Sequence, residues 1–115
     1  MKVATRLLHI NSAGALVACS GALAAEGDPV AGKGKTSMCA GCHGIGGYKT
    51  VFPEVYHVPK LGGQHAAYLV KALQEYRAGS RSHPSMKAIA AGLSDQDMAD
   101  LAAYYASDAM KAAAK

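Results

Sequence analysis

The sequence predicts an all-α domain in which three main helices and long loops enclose a ligand of their own. Three observations predict it: two apolar stripes at helical spacing, the lack of any alternating strand pattern of useful length, and the stretch Cys39-Ala40-Gly41-Cys42-His43.

In chain order, Asp28 and Pro29 read as the cap and first-turn proline of a helix that runs toward Cys39. From Gly44 to Gly63 the chain is rich in glycine and broken by Pro53 and Pro59, which predicts a loop. Its apolar content (Val51, Phe52, Val55, Tyr56, Val58 and Leu61) predicts that the loop packs on something. A second helix is expected over about Gln64 to Ala78, ending at Gly79, with the stripe Leu69, Ala72, Leu73 and Tyr76. Gly79 to Gly92 reads as an irregular segment. The third helix starts at Ser94, with Asp97 three positions on as an acidic variant of the capping box. Its stripe is Met98, Leu101, Ala102 and Tyr105.

Two thiols three positions apart, followed at once by an imidazole, form the pattern of covalent c-type haem attachment. Cys39 and Cys42 can add across the two vinyl groups on one porphyrin edge. His43 is then held under the ring, where a nitrogen can bind the iron. Covalent attachment also relieves a short chain of burying the whole porphyrin to retain it. A thioredoxin-like pair needs a βαβ setting that the pattern lacks. A zinc site needs ligands beyond Cys39, Cys42 and one histidine, and no second cysteine pair exists. Chance occurrence is the remaining alternative. The cofactor expected is one covalently bound haem c with its iron.

The N-terminus points to export. Lys2 and Arg6 precede a mostly apolar stretch from Leu7 to Leu23, and Ala22-Leu23-Ala24 is a small-x-small cleavage site. Residues 1–24 are therefore expected to be a signal peptide and residues 25–115 a single monohaem domain, located in the periplasm. Leu16-Val17-Ala18-Cys19 also resembles a lipoprotein processing box, so contact with a membrane is expected only if Cys19 is lipidated. Otherwise Cys19 is a small apolar residue of a cleaved segment.

Export also corrects the charge. Removing Lys2 and Arg6 from the twelve basic residues leaves ten against eight acids, which haem propionates would roughly offset. Nucleic-acid binding is therefore not indicated. Lys33, Lys35, Lys49, Lys60 and Lys87 could form a rim that steers an acidic redox partner, or could simply be solvated.

The sixth iron ligand has several candidates. Met98 sits on a core stripe, Met38 directly precedes Cys39, and Met110 lies in an Ala/Lys-rich tail. Met86 lies between the second and third helices, where a loop can bring it over the distal face. A thioether opposite an imidazole favours reduced iron. His83, on the same segment, is the competitor, while His57 and His65 are expected at the surface or in hydrogen bonds.

With these residues in place, the chain resembles class I cytochromes c, in particular small bacterial periplasmic monohaem proteins related to the domains of dihaem cytochromes. The resemblance runs from about Gly27 to Ser107. It rests on Gly27-Asp28 through Lys33, on Cys39 to Gly44, and on Pro59-Lys60-Leu61-Gly62-Gly63-Gln64. Arg81-Ser82-His83-Pro84-Ser85-Met86 and Leu93 through Tyr105 complete it. It implies a class I cytochrome c fold, with three main helices and loops wrapped around one haem. It implies that the carbonyl of Pro59 accepts a hydrogen bond from His43, a contact that orients the ring. It further implies that Gly32 lets the first and last helices cross closely, with Tyr104 against it.

The function expected is single-electron transfer with His43 and Met86 as axial ligands and no catalytic residues. Both axial positions are then filled, and nothing resembles an acid/base or nucleophile constellation, so no enzyme is expected. The resemblance implies partners such as a quinol-oxidising complex and a terminal oxidase or reductase. Two alternatives differ in kind: a membrane-tethered electron-transfer subunit of a redox enzyme, which would co-purify with it, and a haem ligand sensor. Tight carbon monoxide binding by the reduced protein would mark the sensor.

Overall fold

The computed structural model describes residues 25–51 and 54–107, and among these the chain forms five helices and one hairpin of two two-residue strands. Residues 1–24, expected to be a signal peptide and including Cys19, lie outside the described residues together with Phe52, Pro53 and Met110.

The first helix is in fact two. α1 spans Pro29–Gly34 and α2 spans Ser37–His43. Asp28 caps α1 by accepting the Val30 N–H at 2.8 Å, and Pro29 occupies the first turn. The break at Lys35 and Thr36 has local causes. Gly32 and Gly34 weaken a six-residue helix. The Thr36 hydroxyl also donates to Lys33 O at 2.9 Å, in competition with the helical ladder. Thr36 O then accepts the N–H groups of Cys39 and Ala40, which starts α2 in a new direction.

The wrapping loop contains β1 (Lys49–Thr50) and β2 (Tyr56–His57), antiparallel with Thr50 opposite Tyr56. α3 (Ala66–Ala78) begins two residues later than expected, after Gly63 takes a φ of +86°. It ends where expected, at Gly79 with φ +83°, a conformation that costs glycine little.

The segment expected to be irregular carries α4 (Pro84–Ala91). Pro84 is its first residue and His83 its cap, so the spacing of Met86, Ile89 and Ala90 is helical after all. α5 (Asp95–Ala106) carries the full capping box: Ser94 Oγ accepts the Asp97 N–H, and Asp97 Oδ2 accepts the Ser94 N–H.

The α5 stripe Met98, Leu101, Ala102 and Tyr105 is buried, as the sequence predicts. Leu69 of α3 joins it in the core, with Cys39, Leu61 and Leu93 packed against the cluster. The rest of the α3 stripe is half-buried and lines a cleft instead.

α1 lies directly on α5. A Cβ on Gly32 would stand 2.0 Å from Asp100 O and 2.9 Å from Tyr104 Cβ, as the expected crossing requires. A Cβ on Gly27 would stand 2.0 Å from Ala99 O, a second close approach that sequence patterning did not reveal.

The crossing also has a polar lock. Asp100 is 3% exposed, and its carboxylate accepts from the Asp28 N–H (2.9 Å), Gln96 Nε2 (2.8 Å) and Lys35 Nζ (2.7 Å). A buried charge with both oxygens hydrogen-bonded and a cation beside it is tolerable where an unpaired one is not. The Asp28 N–H, then Lys35 and Gln96, hold the Asp100 carboxyl down at about 2. Lys35 also bridges to Asp97 at 2.7 Å, so it is committed to this lock and drops out of the expected lysine rim.

Candidate functional site

α2, the hairpin, the Pro59–Gln64 segment, α3, α4 and α5 enclose one cleft of about 460 Å³. That is within the range of roughly 300–1,000 Å³ typical of cofactor sites. Its floor is the apolar cluster of Leu69, Leu101, Ala102 and Tyr105, and Ala72, Leu73, Tyr76 and Ile89 extend the apolar wall.

Cys39, Cys42 and His43 all line the cleft from α2. One turn of helix separates the two cysteines, so both thiols face the same side. Cys39 packs against the core, and burial pushes its thiol pKa up, opposed in part by a hydrogen bond with the Tyr105 side chain. Burial beside Cys39 pushes the Tyr105 phenol up in turn.

His43 ends α2, and its Nδ1 lies 2.6 Å from the carbonyl oxygen of Pro59. A carbonyl can only accept, so Nδ1 carries the proton and donates. Nε2 is left with a free lone pair, the form in which imidazole binds metal. The sequence places Pro59 sixteen residues from His43, and the turn Leu61–Gln64 together with the Gly63 N–H to Tyr105 O bond (2.9 Å) returns that segment to the cleft.

Met86 and His83 both line the cleft from the start of α4 and are half-buried. His83 Nδ1 accepts the Met86 N–H at 3.3 Å. Its ring lies tilted against Tyr56, with 4.7 Å between the ring centres, and meets Tyr76 edge-on at 6.3 Å. Met98 is fully buried in the core and does not line the cleft. Met38 does line it, beside Cys39, while most of its surface remains in solvent. His57 also reaches the cleft wall from β2, whereas His65 sits at the head of α3 away from it.

Three further cleft residues stand outside the expected attachment and ligand set. Among the described residues, Thr50 Oγ1 is the one buried side-chain nitrogen or oxygen left without a hydrogen-bond partner. The Arg81 guanidinium lies 5.0 Å over the Tyr76 ring and donates to the Tyr68 hydroxyl at 3.3 Å. Tyr56 joins them, its hydroxyl donating to Glu54 at 3.0 Å. Nothing in the sequence sets Thr50 apart from Lys49, Glu54 and His57, the other polar residues of the loop Tyr48–Val58. For His83 the signal was a residue directly preceding a proline at a helix start.

The cleft fits a haem by the chemistry of its donors. It joins two thiols on one helix face to an imidazole with a free Nε2, a thioether from another element, and a broad apolar floor. The orphaned Thr50 hydroxyl offers a donor to an acidic substituent.

The Cytochrome c family profile matches residues 30–107 of the chain. Cytochrome c-554(548) of Halomonas halodenitrificans is 43% identical over 84 residues, covering 70% of this chain and 96% of that protein. Cytochrome c4 of Pseudomonas aeruginosa is 41% identical over 86 residues, covering 75% of this chain but 41% of the relative. The chain thus spans less than half the length of that relative. The crystal structure of reduced recombinant cytochrome c4 from Pseudomonas stutzeri superposes with a TM-score of 0.57 at 41% identity, covering 70% of this chain and 45% of that one.

Proposed function

Because the chain belongs to the cytochrome c family and carries its covalently attached haem c, we propose that it is a single-electron carrier of the periplasm. In this reading residues 1–24 are removed on export and residues 25–115 form the monohaem domain. Cys39 and Cys42 would hold the haem, and His43 and Met86 would bind its iron. The bound group supplies a reversible one-electron couple at its iron.

The chain's own residues set the conditions for that couple. Pro59 holds the His43 ring in one orientation and one tautomer, and the donated proton strengthens Nε2 as a ligand. Leu69, Leu101, Ala102 and Tyr105 keep water from the floor, and a dry site resists a change of charge more than a wet one. Met86 supplies a neutral, soft donor, which favours the reduced state. With two protein ligands in place no position is left for a substrate, so the protein transfers electrons without catalysing a reaction of its own.

Its partners are other redox proteins, for which a quinol-oxidising complex and a terminal oxidase or reductase remain the reading. Lys33, Lys49, Lys60 and Lys87 are exposed and available to steer an acidic one. Among the described residues no helix is long and apolar enough to cross a membrane.

The observation that carries the proposal is the convergence of Cys39, Cys42, His43 and Met86 on one apolar cleft, with the His43 ring oriented by Pro59. Met86 is favoured over His83 because the His83 Nδ1 is taken by the Met86 N–H and its ring is held between two tyrosines. Optical spectra of the exported holoprotein test the reading. The ferric protein should show the weak sulfur–iron charge-transfer band, and Met86→Ala should abolish it and lower the potential. Tight carbon monoxide binding by the untreated reduced protein would count against two filled axial positions.

A further inference from the structure

We infer that His83 is a positioning residue for Met86: it holds the first turn of α4 so that the thioether is presented to the cleft. This rests on the reading of Met86 as an axial ligand.

The geometry carries it as follows. His83 is the N-cap of α4, Pro84 the first residue, and Met86 the third. The amide that the cap satisfies, through His83 Nδ1 at 3.3 Å, is therefore Met86's own. The next amide, of Lys87, donates to His83 O at 2.9 Å, so the peptide on each side of Met86 Cα is tied to one residue.

Histidine is an unusual choice for this task, since Ser, Thr, Asp and Asn are the preferred caps. What those residues lack is a ring. The His83 ring lies 4.7 Å from Tyr56 of β2 and 6.3 Å from Tyr76 of α3. The two contacts fasten the start of α4 to both the hairpin and the long helix. A serine or asparagine could cap the helix but could not locate it against two other elements. Met86 is a flexible side chain with three rotatable bonds, so its sulfur position depends on where its backbone is anchored.

Four holoproteins test the inference: wild type, His83→Asn, His83→Ala and Met86→Ala. The readouts are the sulfur–iron band of the ferric form and the affinity of added imidazole, which competes with Met86 for the iron. His83→Ala removes the cap and the ring. It is expected to weaken the band and to tighten imidazole binding about tenfold, the combined loss of a cap and an aromatic contact at tenfold per 1.4 kcal/mol. His83→Asn restores an acceptor without the ring, so it should retain the band and fall between wild type and His83→Ala in imidazole affinity.

If His83→Ala keeps the wild-type band and binds imidazole within about twofold of wild type, while Met86→Ala loses the band, positioning is overturned and ligation stands. If Met86→Ala leaves the band unchanged, the ligation reading fails and the inference fails with it. A wild-type protein without the band, whose iron opens only in His83→Ala, would make His83 the ligand and overturn both.

Discussion

Gly32→Ala places one methyl group where α1 crosses α5. The new Cβ would stand 2.0 Å from Asp100 O, 2.6 Å from Asp100 C and 2.9 Å from Tyr104 Cβ. Unstrained carbon contacts begin at about 3.5 Å, so the helices must separate by more than 1 Å or the backbone must bend. The colliding atoms belong to a helix backbone and cannot swing aside as a long side chain could. The strain therefore falls at the upper end of the overpacking range, about 3 kcal/mol. Alanine recovers about 1 kcal/mol of helix propensity, which leaves a net loss of about 2 kcal/mol. For a domain of this size that lowers the midpoint by roughly 8–16 °C. Gly34→Ala is the control, because its Cβ would meet nothing within 4 Å. It should leave the midpoint unchanged or raise it by a few degrees. Thermal unfolding of the two holoproteins, followed by far-ultraviolet circular dichroism, measures both. Midpoints that agree within about 3 °C would refute the argument that contact distance at Gly32 decides the crossing.

Ser94→Ala should cost about 1 kcal/mol and lower the midpoint by about 4–8 °C, because it removes the acceptor for the Asp97 N–H at the start of α5; urea titration checks it. Acid should destabilise the α1–α5 lock in a defined window. Lys35, then Ser94, hold the Asp97 carboxyl well below the usual carboxylate range, and Asp100 stands at about 2. Both folded values lie below the unfolded ones, so the contribution is complete above about pH 4 and fades as pH falls toward 2. Midpoints measured at pH 6 and pH 3 should therefore diverge more in wild type than in Asp100→Asn.

The sequence placed the chemistry because attachment is a local matter. Cys39, Cys42 and His43 lie within one helical turn, and any helix puts them on one side. The ends of α3 and α5 were legible for the same reason: Gly79 and the Ser94/Asp97 pair act on amides only a few residues away. The buried stripe of α5 followed from spacing alone.

The polar lock of α1 on α5 was not legible, since it needs Lys35 to find Asp97 and Asp100, more than sixty residues on. α4 was missed because its cap is a histidine, whose fitness depends on Tyr56 and Tyr76 from two other elements. Thr50 carries no sign of its role until the hairpin and the cleft wall exclude water from its hydroxyl.

By itself the sequence determined what the protein can bind and where its longer helices run, because covalent attachment, caps and periodicity act over a few residues. The Pro59 carbonyl and the close crossing at Gly32 were expected from the resemblance. Only the tertiary structure decided that Lys35 reaches Asp97 and Asp100, that the His83 ring meets Tyr56 and Tyr76, and that water is shut out from Thr50 Oγ1. Those depend on atoms distant in the chain coming within hydrogen-bonding or van der Waals range, and forces of such short reach leave no trace in spacing.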